Sequence, residues 1–251
     1  MRELVHTASV VQASPRARAR ITGVVYLLFF ATAVASALVS PGTSGLGGAL
    51  TDAAATANAI LAHRAAYQVG WALGMVSNAC YVALIALFYQ LFRPVSSTAA
   101  LLAAFFGLLG CAVNAVGSLL ELTPLLLLGG DPYLGAFTRE QLQAQALVLL
   151  NLSIAAGSVA LVFFGVFQLA LGYVIFRSGF LPRILGVLVA LAGVGWLTFL
   201  APPLASRLLP ELEVLGIVAE AGLMLWLLVA GVNAQAWLER SGASTPTPAP
   251  R

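Results

Sequence analysis

The chain contains no lysine, so its net charge of +3 rests on twelve arginines set against nine acids. Charged residues of every kind make up only 8% of it, where a soluble domain carries about a quarter. That shortage excludes a soluble globular protein, because 251 residues could not be given a polar coat from so few charges. The arginines form no basic stripe and have no aromatics interleaved with them, which excludes nucleic acid as a partner. Cysteine is nearly absent too: Cys80 and Cys111 lie in apolar runs without CxxC spacing. They read as small buried hydrophobes and offer no disulfide framework. There is no HExxH, no GxSxG and no histidine inside an apolar run, so no metal, cofactor or catalytic nucleophile is expected.

What the sequence does have is hydrophobic length: 61% of it is hydrophobic. A bilayer core takes about 20 apolar residues per helix. Six segments qualify, at 21–39, 66–92, 98–128, 143–176, 182–203 and 212–238. The third and fourth exceed one crossing and must tilt, kink or project. The breaks carry recognisable chemistry. Pro94 in "RPVSS" ends the second run, since proline donates no backbone hydrogen bond. "RSGFLPR" at 177–183 combines a helix-stopping Gly179 with a helix-starting Pro182. "TREQ" at 138–141 matches a capping box, and "DAAATANAILAHR" at 52–64 reads as a short helix along the membrane surface. His63 within it has no partner at metal-ligand spacing.

These features predict an all-α fold, a six-transmembrane-helix bundle. Nine arginines fall on one side of it (2, 16, 18, 20, 93, 177, 183, 240 and 251) and three on the other (64, 139 and 207). By the positive-inside rule both termini are expected in the cytoplasm. Residues 1–18 read as a flexible cytoplasmic N-terminus, 19–238 as a single membrane domain, and the Pro-, Ser- and Thr-rich 239–251 as a disordered tail. A signal peptide is the competing reading of the first run, with "ASA" at 35–37 as the cleavage site, although Ile21 to Val39 is long for one.

Where polar residues occur inside the runs, they recur at helical spacing. Gly107, Gly110, Asn114, Gly117 and Glu121 share one face of the third span. Asn151, Ala155, Ser158, Gly165, Gln168 and Gly172 share one face of the fourth. Gly70, Gly74, Ser77, Asn78 and Tyr81 do so in the second, and Gly186, Ala190 and Gly193 in the fifth. Pro124, one turn after Glu121, predicts a kink. A charge at the bilayer centre costs about 2.5–3.5 kcal/mol on insertion scales, so Glu121 and Glu220 are expected to face protein. Counting from the span ends places Glu121, Glu220 and Asn151 roughly 10–12 Å below the outer boundary, with Asn78 and Asn114 somewhat deeper. The expectation is one polar layer in the outer half: Glu121, Glu220, Asn151, Asn114 and Asn78.

Three functional readings follow. The layer binds or transports a small molecule or ion, since intramembrane acids mark such pathways. Alternatively its hydrogen bonds only hold the bundle together or present it to a partner. Or the two carboxylates form the acid/base pair of an intramembrane hydrolase or lipid-modifying enzyme. Membrane lipids are partners on any reading.

The blocks "ARITGVVYLLFF" at 19–30, "DAAATANAILAH" at 52–63, "FTREQLQAQALVLLNL" at 137–152, "GYVIFRSGFLPRILGVLV" at 172–189 and "EAGLMLWLLVAGV" at 220–232 resemble, in order, those of the domain of unknown function 4386 family of bacterial multi-pass membrane proteins. The resemblance implies a single six-span domain with a retained first helix in the bacterial inner membrane. It also places Glu220 in a family block, and it implies no activity.

Overall fold

The structure is a computed structural model that describes residues 14–40 and 50–242. The expected tail from 243 onward and the first thirteen residues of the expected N-terminus lie outside the described residues. The described residues contain helices and no strand. In order these are α1 (Pro15–Val39), α2 (Ala53–Ala62), α3 (Arg64–Phe92), α4 (Ser97–Glu121), α5 (Thr123–Leu127), α6 (Arg139–Ser178), α7 (Arg183–Leu197), α8 (Pro202–Val229) and α9 (Ala234–Ser241). One 3₁₀ turn (Pro132–Ala136) precedes α6 and another (Thr198–Leu200) prolongs α7. Six helical stretches are long and apolar enough to cross a membrane, with α4 and α5 together forming one of them.

Local chemistry sets the helix ends. Ser14 caps α1, accepting the Ala17 amide at 3.2 Å, and Asp52 caps α2 through Ala55 at 2.8 Å. At α6 the capping box closes in both directions: Thr138 Oγ1 accepts the Gln141 amide at 3.3 Å, and Gln141 Oε1 accepts the Thr138 amide at 2.9 Å. Gly179 ends α6 with φ 75°, a left-handed conformation that glycine adopts without penalty. α6 has 40 residues, about 60 Å of helix, twice the hydrocarbon thickness, so its first turns stand clear of the lipid.

Pro124 breaks the third span as its position predicts. α4 stops at Glu121, and α5 restarts at Thr123. Proline has no amide for the Leu120 carbonyl, and the Thr123 hydroxyl donates to that oxygen instead. The sixth span departs from expectation at both ends, running from Pro202 to Val229 instead of 212–238. Pro202 and Pro203 open the first turn, where their missing amides cost nothing, and the helix passes through Pro210 with one backbone bond omitted. It ends because Gly231 turns left-handed at φ 68°. Asn233 then caps a separate short helix, α9, accepting the Ala236 amide at 3.2 Å.

The six long helices form a closed ring. α1 packs on α3, α3 on α4, α4 on α6, α6 on α7, α7 on α8 and α8 back on α1, while α3 and α6 also touch across the centre. Lipid gives apolar side chains no preference for protein over solvent, so close approach of small residues has to hold such a ring. The α6–α7 seam shows this most directly. A methyl group on Gly165 would lie 2.9 Å from the Gly193 carbonyl oxygen, and one on Gly193 2.7 Å from that of Gly165. Two turns along, Gly172 and Gly186 repeat the reciprocal fit at 2.6 and 2.7 Å. The glycines on the predicted stripes of both helices therefore meet each other. Elsewhere Gly110 lies under the Phe164 ring and Gly216 under the Trp196 indole.

α9 fastens the arginine-rich end. Its Trp237 indole donates to the Leu91 carbonyl at 2.9 Å and lies under the Arg18 guanidinium. Arg240 donates to the Arg177 carbonyl at 3.1 Å. One short helix so ties together the ends of α1, α3 and α6.

Replacing Gly172 or Gly186 by valine should destabilise the protein by about 1–3 kcal/mol or more through overpacking. Gly157→Ala, where the added methyl meets open space, should leave stability unchanged. Thermal unfolding of the three variants in nanodiscs reads the difference; equal melting temperatures would show that the seam is not close-packed.

Candidate functional site

The five polar residues expected in one layer are spread along the helices. Asn151 and Glu121 lie at the arginine-poor end. The Asn151 amide accepts the Leu50 backbone N–H at 2.8 Å and donates to the Leu50 carbonyl at 2.9 Å. It thus satisfies both polar groups of that residue where the chain enters α2. Nearby, Ile60, Tyr67, Leu125 and Leu150 form a small core separate from the main one, with Leu50 and Leu122 packed on it. The Tyr67 hydroxyl donates to the backbone carbonyl of Glu121, and the Trp71 indole to that of Ser118 at 2.8 Å. Glu121 is the last residue of α4 and is half-buried beside Tyr67. Asn151 and Glu121 therefore belong to a cap built from α2, α5 and the first turns of α6.

Asn78 and Asn114 lie deeper and are brought together. The Asn114 amide donates to the Asn78 Oδ1 at 3.4 Å, and Asn78 Nδ2 donates to the Cys111 carbonyl at 3.2 Å. The pair stitches α3 to α4, as the stripes on both helices predict.

Glu220 lies about one helical turn beyond that pair, beside Tyr81 of α3. Glu220, itself half-buried, borders the face of α8 that buries Gly216, Leu223 and Leu227, towards protein as an intramembrane acid requires. The Gln168 amide donates to its Oε1, and the Tyr26 side chain lies beside it. Tyr81 also faces it, and faces Gln168. Tyr67 beside Glu121 and Tyr81 beside Glu220 are fourteen residues apart on α3, roughly 21 Å along its axis. The two acids thus do not share a level, and the single outer layer expected from the sequence is corrected. The third span, Ser97–Leu127, ends where it was expected. The sixth begins ten residues before 212, so Glu220 lies deeper than a count from 212 puts it.

The Glu220 cluster has a well-defined surround. Tyr26, Tyr81 and Gln168 are each almost fully buried. Aromatic rings enclose them: Phe29 lies 4.8 Å and Phe164 5.1 Å from the Tyr81 ring, and Phe30 lies 5.5 Å and Phe88 5.8 Å from that of Tyr26. All described arginines lie at or near helix ends, and the groups facing Glu220 include none of them. Gln168 Oε1 is buried without a hydrogen-bond partner. Among the described residues no three His, Cys, Asp or Glu side chains converge as a metal site.

Sequence reasoning placed Glu220 and noted Gln168 and Tyr81 only as members of stripes. Tyr26 escaped it, because α1 carries no polar stripe around that position. A tyrosine, a glutamine and a glutamate at mid-helix on different spans were the available signal; which of them meet depends on the order of helices around the ring.

Six apolar helices closed into a ring define a multi-pass helical membrane protein. The chain belongs to the family described as Domain of unknown function (DUF4386), whose model matches residues 21–231 and takes in all six spans. No curated protein and no solved structure matches it.

Asn151→Leu should free both polar groups of Leu50 and cost about 1–3 kcal/mol. Hydrogen–deuterium exchange at residues 50–52 should accelerate while that of α7 stays unchanged. Unaltered exchange at Leu50 would mean that the side chain does not hold this segment.

Proposed function

We propose that this protein binds a small molecule or ion within the membrane, at the cluster of Glu220, Gln168, Tyr26 and Tyr81. The observation that carries the reading is the unpartnered oxygen of Gln168, buried next to an acid that no arginine neutralises. A buried acceptor left unpaired costs about 1–3 kcal/mol. A network serving only to hold helices together gains by closing such a gap, as the Asn78 and Asn151 amides do. The Asn78–Asn114 pair and the Asn151–Leu50 clasp read accordingly as structural. The cluster is the exception, which supports a role beyond packing.

The enzyme alternative needs its two carboxylates within reach of one bond. With Glu121 and Glu220 at levels roughly 21 Å apart along α3, they have no common substrate atom. The scaffold reading accounts for the cap and leaves the cluster unexplained. The arginine distribution supports a plasma-membrane location with both termini in the bacterial cytoplasm. On that orientation Glu220 lies near the middle of the bilayer and Glu121 at its outer edge. Transport would require the same cluster to open alternately to the two sides, with Glu220 as the group that holds the passenger.

Glu220→Gln keeps the side chain's shape and removes its charge and proton. The variant should retain helical content and remain monodisperse. A panel of sodium and potassium chlorides, organic amines and aromatic alcohols, tested in nanodiscs, should contain at least one member that raises the melting temperature of the parent and not of Glu220→Gln. The response of Glu121→Gln should match that of the parent. If every probe acts alike on parent and Glu220→Gln, the cluster is no binding site.

A further inference from the structure

The arginine-rich end carries charge that its own side chains do not answer. Among the described residues, arginines 16, 18, 20, 93, 177, 183 and 240 lie there against a single acid, Glu239. The Glu239 carboxylate accepts from the Gln235 amide of its own helix at 3.4 Å. Among the described residues no arginine at this end is paired with a carboxylate.

Three of these arginines are gathered at one corner. Arg177 stands in the last turn of α6, Arg183 opens α7, and Arg240 stands in the last turn of α9. The contacts that gather them do not depend on a carboxylate. Arg240 donates to the backbone carbonyl of Arg177 at 3.1 Å, which sets one guanidinium against the residue that carries another. The Arg183 guanidinium lies 5.6 Å over the ring of Phe176, the neighbour of Arg177. The turn between α6 and α7 is held to α9 as well, because the Asn233 amide donates to the Phe180 carbonyl at 3.2 Å. Like charges brought together repel, and only solvent and salt weaken that repulsion. An anion among them removes it. All three side chains are exposed, so an anion can reach them.

The surroundings indicate what the anion is attached to. Tyr173 and Phe176 on α6 are exposed, and so are Ile184, Val187, Leu191 and Val194 on α7. Their spacing puts the four α7 residues on one helix face, beginning next to Arg183. Apolar surface therefore runs from the arginines along both spans into the hydrocarbon. An anion that carries acyl chains matches both parts, whereas a free anion matches only the first. Guanidinium groups bind phosphate through two parallel N–H···O bonds, and basic pockets between transmembrane helices hold anionic headgroups. A zwitterionic headgroup brings its own ammonium to the same corner and is repelled by it.

We propose that the corner formed by Arg177, Arg183 and Arg240 is a site for the phosphate of an anionic phospholipid, whose acyl chains lie along the outward faces of α6 and α7. The short helix α9 completes the site, since it carries Arg240 to Arg177. This surface is independent of the Glu220 cluster and of the reading given to it.

Native mass spectrometry of the full chain, released from nanodiscs of mixed phosphatidylglycerol and phosphatidylcholine, tests the proposal. The parent should retain phosphatidylglycerol in preference. Arg177→Gln, Arg183→Gln and Arg240→Gln should each lower that preference roughly fivefold, the loss of one arginine's attraction at the surface. Should a glutamine variant not yield folded protein, Arg240→Lys, which keeps the charge and loses the planar fork, should show a smaller loss in the same direction. Arg20→Gln, exposed at the same end on α1, should leave the preference nearly unchanged. Equal retention of the two lipids overturns the site. So does an equal loss in Arg20→Gln, which would mark attraction to the leaflet as a whole. Inorganic phosphate, added to phosphatidylcholine nanodiscs, should not raise the melting temperature. If it does so in the parent and not in Arg177→Gln, the corner binds free phosphate and the lipid assignment falls.

Discussion

Hydrocarbon offers a polar group no hydrogen-bond partner, and most of this structure follows from that. Each span is a helix because only a helix satisfies its own backbone. Where a backbone group is released, a side chain answers it: the Thr123 hydroxyl takes the carbonyl freed by Pro124, and the Trp237 indole reaches the carbonyl of Leu91. The same constraint moves the adhesive contacts away from large apolar residues. Leucines and valines line the outside, while glycines meet in the α6–α7 seam.

Within that regime a polar side chain has two uses, and the structure separates them. Asn151, Asn78 and Asn114 close hydrogen bonds between segments that would otherwise rely on dispersion alone. Such bonds contribute around 0.6 kcal/mol each in a membrane, modest in stability but specific in register. Glu220 and Gln168 differ, for they bring an acid and an unused acceptor into the most aromatic part of the interior. That arrangement costs stability wherever nothing completes it.

The sequence made the architecture legible because membrane spans are written in composition. Six apolar runs, the capping box at Thr138, the stop at Gly179 and the kink before Pro124 all have short-range causes. The glycine stripes were equally readable, since helical spacing alone puts Gly165 and Gly172 on one face and Gly186 and Gly193 on another. Depth was not legible, because it depends on knowing where a helix starts. Pro202 and Pro203 open α8 well before the most hydrophobic stretch, and Gly231 closes it before the apolar pattern ends. Those boundary shifts produced the false layer that joined Glu121 to Glu220. The partners of Glu220 were also beyond the sequence. Tyr26, Tyr81 and Gln168 lie on three different helices, and only the closed order of the ring brings α1, α3, α6 and α8 around one point.

The central claim is that the Glu220 carboxyl is held by Gln168 and flanked by Tyr26 inside the bundle, apart from Glu121 and its Tyr67. Infrared difference spectroscopy measures this directly, through the carboxyl band that Glu220→Gln removes. That band should shift in Gln168→Leu and in Tyr26→Phe and stay in place in Tyr67→Phe. A band indifferent to Gln168 and Tyr26, or one that moves with Tyr67, would contradict the account.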